Sequence, residues 1–175
     1  MHSISIRSAQ PQDIETIVAF INALAHYEHL EDQVVGNPQE LETHLFGSPT
    51  PGYPALEAIL AELDQIPVGF AIFYPNYSTF EMRPGLYLED IFVLPEYRSK
   101  GIGRSLFQYL AKLTIERNYR RFEWRVLDWN DTAISFYQRM GAEVLPDWYT
   151  CRMSGENLKQ LALQSENREN SLLKT

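Results

Sequence analysis

Two spacings of apolar residues follow one another in the N-terminal part of the chain, and they predict a strand followed by two helices. In residues 3–9, isoleucines alternate with polar neighbours, as in a strand with one buried face. In residues 14–25, apolar side chains return every three or four positions, which predicts a helix whose first turn contains Pro11. Asn37, followed by a proline, predicts a second helix start, and Gly47 predicts its end.

The remaining pattern alternates between strands and helices. Residues 56–63 and 67–74 are apolar runs separated by a short turn at Asp64 and Gln65, which makes a hairpin plausible. The pattern then predicts a strand over 85–94, an amphipathic helix over 101–119, a strand over 122–127, a helix over 131–140, a strand over 144–153 and a short helix over 154–163. This order predicts a mixed α/β fold whose central sheet is mostly antiparallel.

The length of 175 residues suits one domain with one core. We expect that domain to span 1–163, and the polar segment 164–175 to form a disordered tail.

The net charge of the chain is −8. A negative surface repels phosphate backbones, so we expect no nucleic-acid partner. The same surface attracts a cationic ligand, although an acidic surface also serves solubility alone. Charge therefore favours a small cationic substrate and leaves that alternative open.

Cysteine content and the N-terminal sequence bear on the compartment. The single cysteine, Cys151, excludes a disulfide within the chain, and its apolar neighbours favour a packing role. The first residues lack the pattern of a signal peptide, and no apolar run approaches the ~20 residues of a membrane span. We expect a cytoplasmic protein with no membrane partner. His26 and His29 have a spacing that can hold a metal, but no further ligand is evident, so we expect no metal site.

The most specific local pattern is a basic, glycine-containing turn between a buried strand and a long helix. Backbone N–H groups at a helix N-terminus bind anions, and glycine lets a phosphate come close. A dinucleotide-binding turn would need a third glycine where Leu106 stands, and a nucleoside-triphosphate loop would end in Gly-Lys-Ser/Thr. A simple strand-to-helix turn is the remaining alternative. The segment consists of Arg98, Ser99, Lys100, Gly101, Ile102 and Gly103, followed by Arg104.

This turn resembles the pyrophosphate-binding motif of the GNAT (GCN5-related N-acetyltransferase) superfamily. The resemblance runs from Ile4 to about Met153. It implies a sheet with helices on both faces, acetyl-CoA as co-substrate and acetyl transfer to an amine. Other segments are similar to the same family, and two of them resemble its diamine (spermidine/spermine) N-acetyltransferase branch, which includes enzymes acting on thialysine. The family segments are 86–93, Trp129-Asn130, Phe136-Tyr137 and Met140-Gly141-Ala142, and the branch segments are Tyr27-Glu28 and Glu31-Asp32-Gln33-Val34.

Two adjacent carboxylates, Glu89 and Asp90, lie inside the apolar strand predicted over 85–94. Burying them is costly unless they line a cavity or meet partners, and a salt bridge or an exposed sheet edge is the alternative. Strand alternation predicts that they face opposite sides of the sheet. An alkylamine is protonated near neutral pH, so a base that helps to remove its proton speeds acetylation. The resemblance implies that Glu89 contacts the amine and relays its proton, while Asp90 stabilises the site or binds another amine.

The resemblance also assigns contacts to the cofactor. It implies that backbone N–H groups of Ile91, Phe92 and Val93 hold the pantetheine arm and polarise the acetyl carbonyl. It places the diphosphate at residues 98–104 and a further contact at Asn130, which suits a helix N-cap as well.

Tyr137 is the candidate general acid. A phenol stays protonated at neutral pH and can donate to the departing thiolate. The alternative is an ordinary core aromatic beside Phe136. The resemblance favours the catalytic role.

Acidic and aromatic residues supply the candidate substrate contacts. Glu28 lies near the end of the first helix, where the helix dipole disfavours a carboxylate, and either a cationic substrate or a solvated acidic loop explains it. With Glu89 and Asp90, the candidates are Tyr27, Glu28, Trp124, Asp147 and Trp148.

Three readings of function follow. The first is acetylation of a diamine or polyamine. The second is acetylation of a lysine-like amino acid of the thialysine type, because Arg125 is an awkward neighbour for a polyamine and suits a carboxylate. The third is a non-catalytic acetyl-CoA-binding regulatory module, which the presence of Glu89 and Tyr137 disfavours. The branch also implies a homodimer.

Overall fold

The computed structural model describes residues 3–47 and 56–172 of the chain. These residues divide between two compact units, Met1–Arg125 and Val126–Thr175, and each is described by itself. No helix in the described ranges is long and apolar enough to cross a membrane.

The described residues of the first unit form five strands and three α-helices. Three short 3-10 turns, Pro11–Asp13, Glu31–Gln33 and Pro95–Tyr97, lie between them. In chain order the elements are β1 (Ile4–Ser8), α1 (Ile14–Glu28), α2 (Pro38–Phe46), β2 (Glu57–Leu63), β3 (Ile66–Ser78), β4 (Arg83–Val93), α3 (Ile102–Glu116) and β5 (Phe122–Trp124).

Local chemistry explains where several of these elements begin. The Asn37 side chain accepts a hydrogen bond from the Gln39 N–H at 2.9 Å, which caps α2 as its sequence predicted. Before α1, the Arg7 guanidinium donates to both carboxylate oxygens of Asp13, at 2.7 and 2.9 Å. This pairing lowers the pKa of Asp13 and ties the start of α1 to β1.

The sheet has the order β1-β2-β3-β4-β5. The first four strands are antiparallel neighbours, and β5 runs parallel to β4. Asp64 and Gln65 connect β2 to β3 with φ angles of 53° and 68°, so the predicted hairpin is confirmed. The prediction of a mixed α/β fold with a mostly antiparallel sheet is confirmed.

Helices cover both faces of the sheet. On one face Ile17 and Phe20 of α1 pack in a cluster with the sheet residues Leu60, Phe70, Ile72 and Phe92. The Phe20 and Phe70 rings stack with centroids 5.6 Å apart. The alternate strand residues, such as Ile59 and Phe73, are also fully buried and face the other side. There α3 lies against β1 to β4 through its buried side chains Ile102, Leu106, Phe107 and Leu110.

The second unit contains α4 (Asp131–Arg139) and α5 (Gly155–Leu172). Its α5 continues past residue 163, where the pattern had placed its end, into the segment expected to be disordered. No glycine or proline follows Gly155 to interrupt the helix. Residues 173–175 of the expected tail lie outside the described residues, and the division into a domain over 1–163 and a tail stays a prediction.

The strand predicted over 144–153 is wrong, because the described residues 142–154 have no regular structure. A strand needs a partner for its backbone hydrogen bonds, and Pro146 lacks an N–H to contribute to such a ladder. The aromatic residues that suggested the strand are exposed, Trp148 by 76% and Tyr149 by 91%.

Candidate active site

A β-bulge in β4 sets Glu89 outside the regular ladder. Opposite β3, Asp90 pairs with Ile72 and Leu88 pairs with Phe73, which leaves Glu89 as the extra residue. A bulge bends its strand and redirects side chains, and bulges are frequent beside active sites. The exposed Glu89 carboxylate accepts a hydrogen bond from the Tyr74 hydroxyl at 3.1 Å.

The bulge turns Glu89 and Asp90 to the same face of the sheet, so the prediction that they face opposite sides is wrong. Asp90 is the register partner of Ile72, which packs on the α1 face. Tyr74 lies two residues beyond Ile72 and shares that face, and Glu89 bonds to Tyr74. The inserted residue breaks the period of two on which the prediction depended.

Three carboxylates converge on this face. Asp90 is half-buried, and Glu28, in the last turn of α1, is near enough for its charge to act on Asp90. Burial raises the pKa of Asp90 to about 6, and the negative charges of Glu89 and Glu28 add to the rise. Burial also raises the pKa of Glu28. Like charges in a partly dry place repel one another, and a bound cation relieves that repulsion.

Two tyrosines form a wall beside the carboxylates. The rings of Tyr74 and Tyr87 lie on neighbouring strands with centroids 5.2 Å apart. Burial raises the pKa of Tyr74 to about 12, and the charge and hydrogen bond of Glu89 raise it too. The Arg125 guanidinium, 6.0 Å from the Tyr87 ring centre, partly offsets that rise. Sequence reasoning missed both tyrosines, because the hairpin that it predicted joins 56–63 to 67–74 and does not include the strand of Tyr87.

Beyond the bulge, β4 has an open edge. The ladder with β5 ends at Leu88 and Trp124, whereas β4 continues to Val93 and no other described strand follows β5. The Leu94 N–H donates to β3 at Val68, so alternation directs the N–H groups of Ile91 and Val93 to the opposite, open side.

Phe92 differs from the other two predicted amide donors. By the same alternation its N–H points into the ladder with β3, and its ring is buried in the α1 cluster.

The glycine turn leads into α3 through two residues with left-handed backbone. Ser99 has φ 62° and Gly101 has φ 86°. No atom lies within 4 Å of the place where a Cβ on Gly101 would stand, so the turn faces open space. The first turn of α3, from Ile102 to Arg104, has no acidic residue, and no side chain caps its N-terminus. Its N–H groups therefore favour an anion.

Arg98 is held by groups other than a phosphate. Its Nε donates to the Val93 carbonyl at 3.0 Å. Its guanidinium lies 4.4 Å from the centre of the Tyr27 ring and 5.4 Å from that of Phe92. One side chain thus connects the turn to β4 and to the end of α1.

Trp124, a predicted substrate contact, faces the other side of the sheet. Its ring lies 5.0 Å from Phe107 of α3 and 4.9 Å from Phe122, centre to centre. The structure therefore places Trp124 in the α3 core, away from Glu89.

The remaining candidate residues belong to the second unit. The buried Asn130 side chain accepts a hydrogen bond from the Ala133 N–H at 3.2 Å and caps α4. Tyr137 lies on α4 with its ring 5.5 Å from that of Phe136. Asp147 and Trp148 lie in the exposed segment without regular structure. Among the residues described, no three or more His, Cys, Asp or Glu side chains form a group that could hold a metal.

A mostly antiparallel sheet with helices on both faces is the fold that the resemblance to the GNAT superfamily implied. Residues 21–142 match the acetyltransferase (GNAT) family, and the chain belongs to it.

Relatives with named activities support this assignment. The chain is 35% identical over 173 residues to thialysine N-epsilon-acetyltransferase of Sus scrofa, which covers 93% of this chain and 99% of that one. It is 41% identical over 123 residues to L-ornithine N5-acetyltransferase of Arabidopsis thaliana, covering 69% of this chain and 54% of that one. Among solved structures, an integron cassette protein of V. cholerae is similar with a TM-score of 0.73 and 25% identity, over 91% of this chain and 98% of that one.

The protein is an acyltransferase enzyme that transfers an acetyl group to an amine. Acetyltransferases of this family use acetyl-CoA as the donor. The diamine interpretation and the amino-acid interpretation both predicted an N-acetyltransferase that acts on an amine, and these findings confirm that shared prediction.

Proposed function

We propose that the protein acetylates the terminal primary amine of a small cationic substrate, and that Glu28, Glu89 and Asp90 receive that amine. The observation that carries the proposal is the bulge at Glu89, which turns two carboxylates to one face beside the end of α1. An alkylammonium ion offsets the repulsion among these carboxylates, which makes the cluster selective for a cation.

Glu89 is the base of the proposed reaction. Its carboxylate is exposed, so it can take a proton from the bound ammonium group directly or through water. The neutral nitrogen then attacks the thioester carbonyl, and the C–N bond forms as the C–S bond breaks. Tyr137 gives its phenolic proton to the departing sulfur, and the second proton, which the nitrogen releases as the amide forms, restores the phenol.

The acetyl-CoA contacts follow the open edge of β4. We assign the acetyl carbonyl and the pantetheine arm to the outward N–H groups of Ile91 and Val93, where one donor is worth about 3 kcal/mol in the transition state. The diphosphate is assigned to residues 98–104 at the start of α3, with Lys100 and Arg104 adding charge. Asn130 supplies a further contact. Phe92 does not offer its amide N–H to the cofactor; its ring instead lies under the Arg98 guanidinium.

Two substrate classes fit the acidic cluster. A diamine or polyamine brings an ammonium group at each end, and a lysine-like amino acid brings one ammonium group and a carboxylate. The activities named for the two relatives, on thialysine and on ornithine, favour the amino acid.

Release of CoA on a panel of spermidine, putrescine, lysine and thialysine tests the proposal. We expect turnover of at least one amine, and a loss in kcat of roughly 100-fold or more in Glu89→Gln, because the base is removed. Glu42→Gln makes the same charge change on the exposed face of α2 and serves as the control. Absence of turnover on the whole panel, or undiminished turnover by Glu89→Gln, contradicts the proposal.

A further inference from the structure

We propose that Arg125 binds the carboxylate of the acceptor substrate and thereby selects basic amino acids over diamines. This inference rests on the proposed function, because it takes the amine to enter the cluster of Glu28, Glu89 and Asp90.

The strand register brings Arg125 to the level of Glu89. Phe122, Glu123 and Trp124 pair with Leu86, Tyr87 and Leu88, so the next residue of each segment is Arg125 and Glu89. Neighbouring strands lie about 5 Å apart. Alternation puts Arg125 on the face of Glu123 and Tyr87, and the contact of its guanidinium with the Tyr87 ring agrees with this placement.

The face therefore has charges of opposite sign, each beside one of the two tyrosines. The Tyr74 hydroxyl bonds to Glu89 at 3.1 Å, whereas the Arg125 guanidinium lies 6.0 Å from the centre of the Tyr87 ring. The two rings are in contact, with centroids 5.2 Å apart. An aliphatic chain laid along this wall places one end at the carboxylates and the other at the guanidinium.

Two other cations of the first unit near this face have partners. Arg121 pairs with Glu123 at 2.7 Å, and Arg98 is held by the Val93 carbonyl and the Tyr27 ring. Arg125 is exposed and stacks only loosely on Tyr87, so its planar donor fork is accessible to ligands that approach along the wall. A carboxylate accepts two hydrogen bonds from such a fork, while the second ammonium group of a diamine is repelled by it.

Matched substrate pairs isolate the carboxylate. Lysine and cadaverine differ only by that group, as do ornithine and putrescine. We expect Arg125→Gln to lower kcat/KM for both amino acids by about 10- to 100-fold, the value of a hydrogen bond to a charged group, and to leave both diamines unchanged or improved. Arg120→Gln, an equal charge change at an exposed position before β5, is the control and should alter neither pair.

A parallel fall for amino acids and diamines in Arg125→Gln would overturn the proposal, since it would indicate a structural role. An unchanged ratio between the members of each pair would do the same.

Calorimetric titration of lysine and cadaverine in the presence of CoA separates this inference from the proposed chemistry. If wild-type protein binds lysine without acetylating it, and Arg125→Gln binds lysine more weakly, the carboxylate site is supported while the proposed role of Glu89 as the base is refuted. Lysine binding that is absent, or equal in both proteins, would refute the carboxylate site even if amines are acetylated.

Discussion

Asp90→Asn removes the carboxyl whose titration the fold perturbs most clearly at the active site. In the folded protein burial and the charges of Glu89 and Glu28 raise the pKa of Asp90 from 3.8 to about 6. The folded chain therefore holds this proton more tightly than the unfolded chain does. The resulting stabilisation is complete below pH 3.8 and is lost as the pH rises through about 6.

The size of the effect follows from the shift. A rise of about 2 pKa units corresponds to roughly 3 kcal/mol, at 1.36 kcal/mol per unit. Wild-type protein should lose most of that unfolding free energy, about 2.4 kcal/mol, between about pH 4 and pH 8 because of Asp90 alone. Asparagine has the same shape and no charge, so the variant should lack this part of the pH dependence.

Urea denaturation of both proteins at the two pH values measures the difference. The comparison of wild type with variant across pH cancels any pH-independent cost of the substitution. Asp32→Asn, at an exposed carboxylate of the same unit, is the control. A difference between Asp90→Asn and wild type that changes by less than about 1 kcal/mol across this range would refute the burial argument.

Two further substitutions test the assigned roles. Tyr137→Phe should keep acetyl-CoA affinity, measured by calorimetry, and lose roughly 100-fold or more in kcat because the sulfur receives no proton; full turnover would remove Tyr137 from the mechanism. Gly101→Val should cost about 1–2 kcal/mol in stability, because Gly101 has a left-handed φ. It should also weaken CoA binding, because the valine side chain fills the open space at the helix N-terminus where we place the diphosphate. CoA uptake that is unaffected in folded Gly101→Val protein would contradict the diphosphate site.

Much of the fold could be predicted because local signals and long-range packing agree. The polar pair Asp64-Gln65 between two apolar runs marked a hairpin, and both residues adopt the positive φ angles that such a turn requires. The helical spacing of Ile102, Leu106 and Leu110 likewise predicted the stripe of α3 that the sheet buries.

The arrangement of the acidic site could not be predicted, because it depends on an inserted residue. Nothing in the order of residues 86–93 marks Glu89 as the bulge, since only the partner strand defines which residue is extra. Trp124 shows the same limit. A tryptophan in a three-residue strand suits either face, and its contact with Phe107 decides between them.

Contacts between side chains from distant parts of the chain also could not be predicted from the sequence. Arg98 matched a phosphate-binding motif, but its contact with Tyr27 of α1 joins elements that lie far apart in the chain. The homodimer and the cytoplasmic location stay predictions.

Arg98 has a consequence for how the two substrates are spaced. The same guanidinium touches the ring of Tyr27, next to the carboxylate to which we assign the amine, and binds the last carbonyl of β4, the strand to which we assign the donor. The end of α1 and the glycine turn, which we assign to the acceptor and to the diphosphate, are thereby connected through one rigid, planar group. The length of this one side chain therefore sets the distance between the donor site and the acceptor site. A shorter residue at this position should change that distance more than it changes the affinity for either substrate.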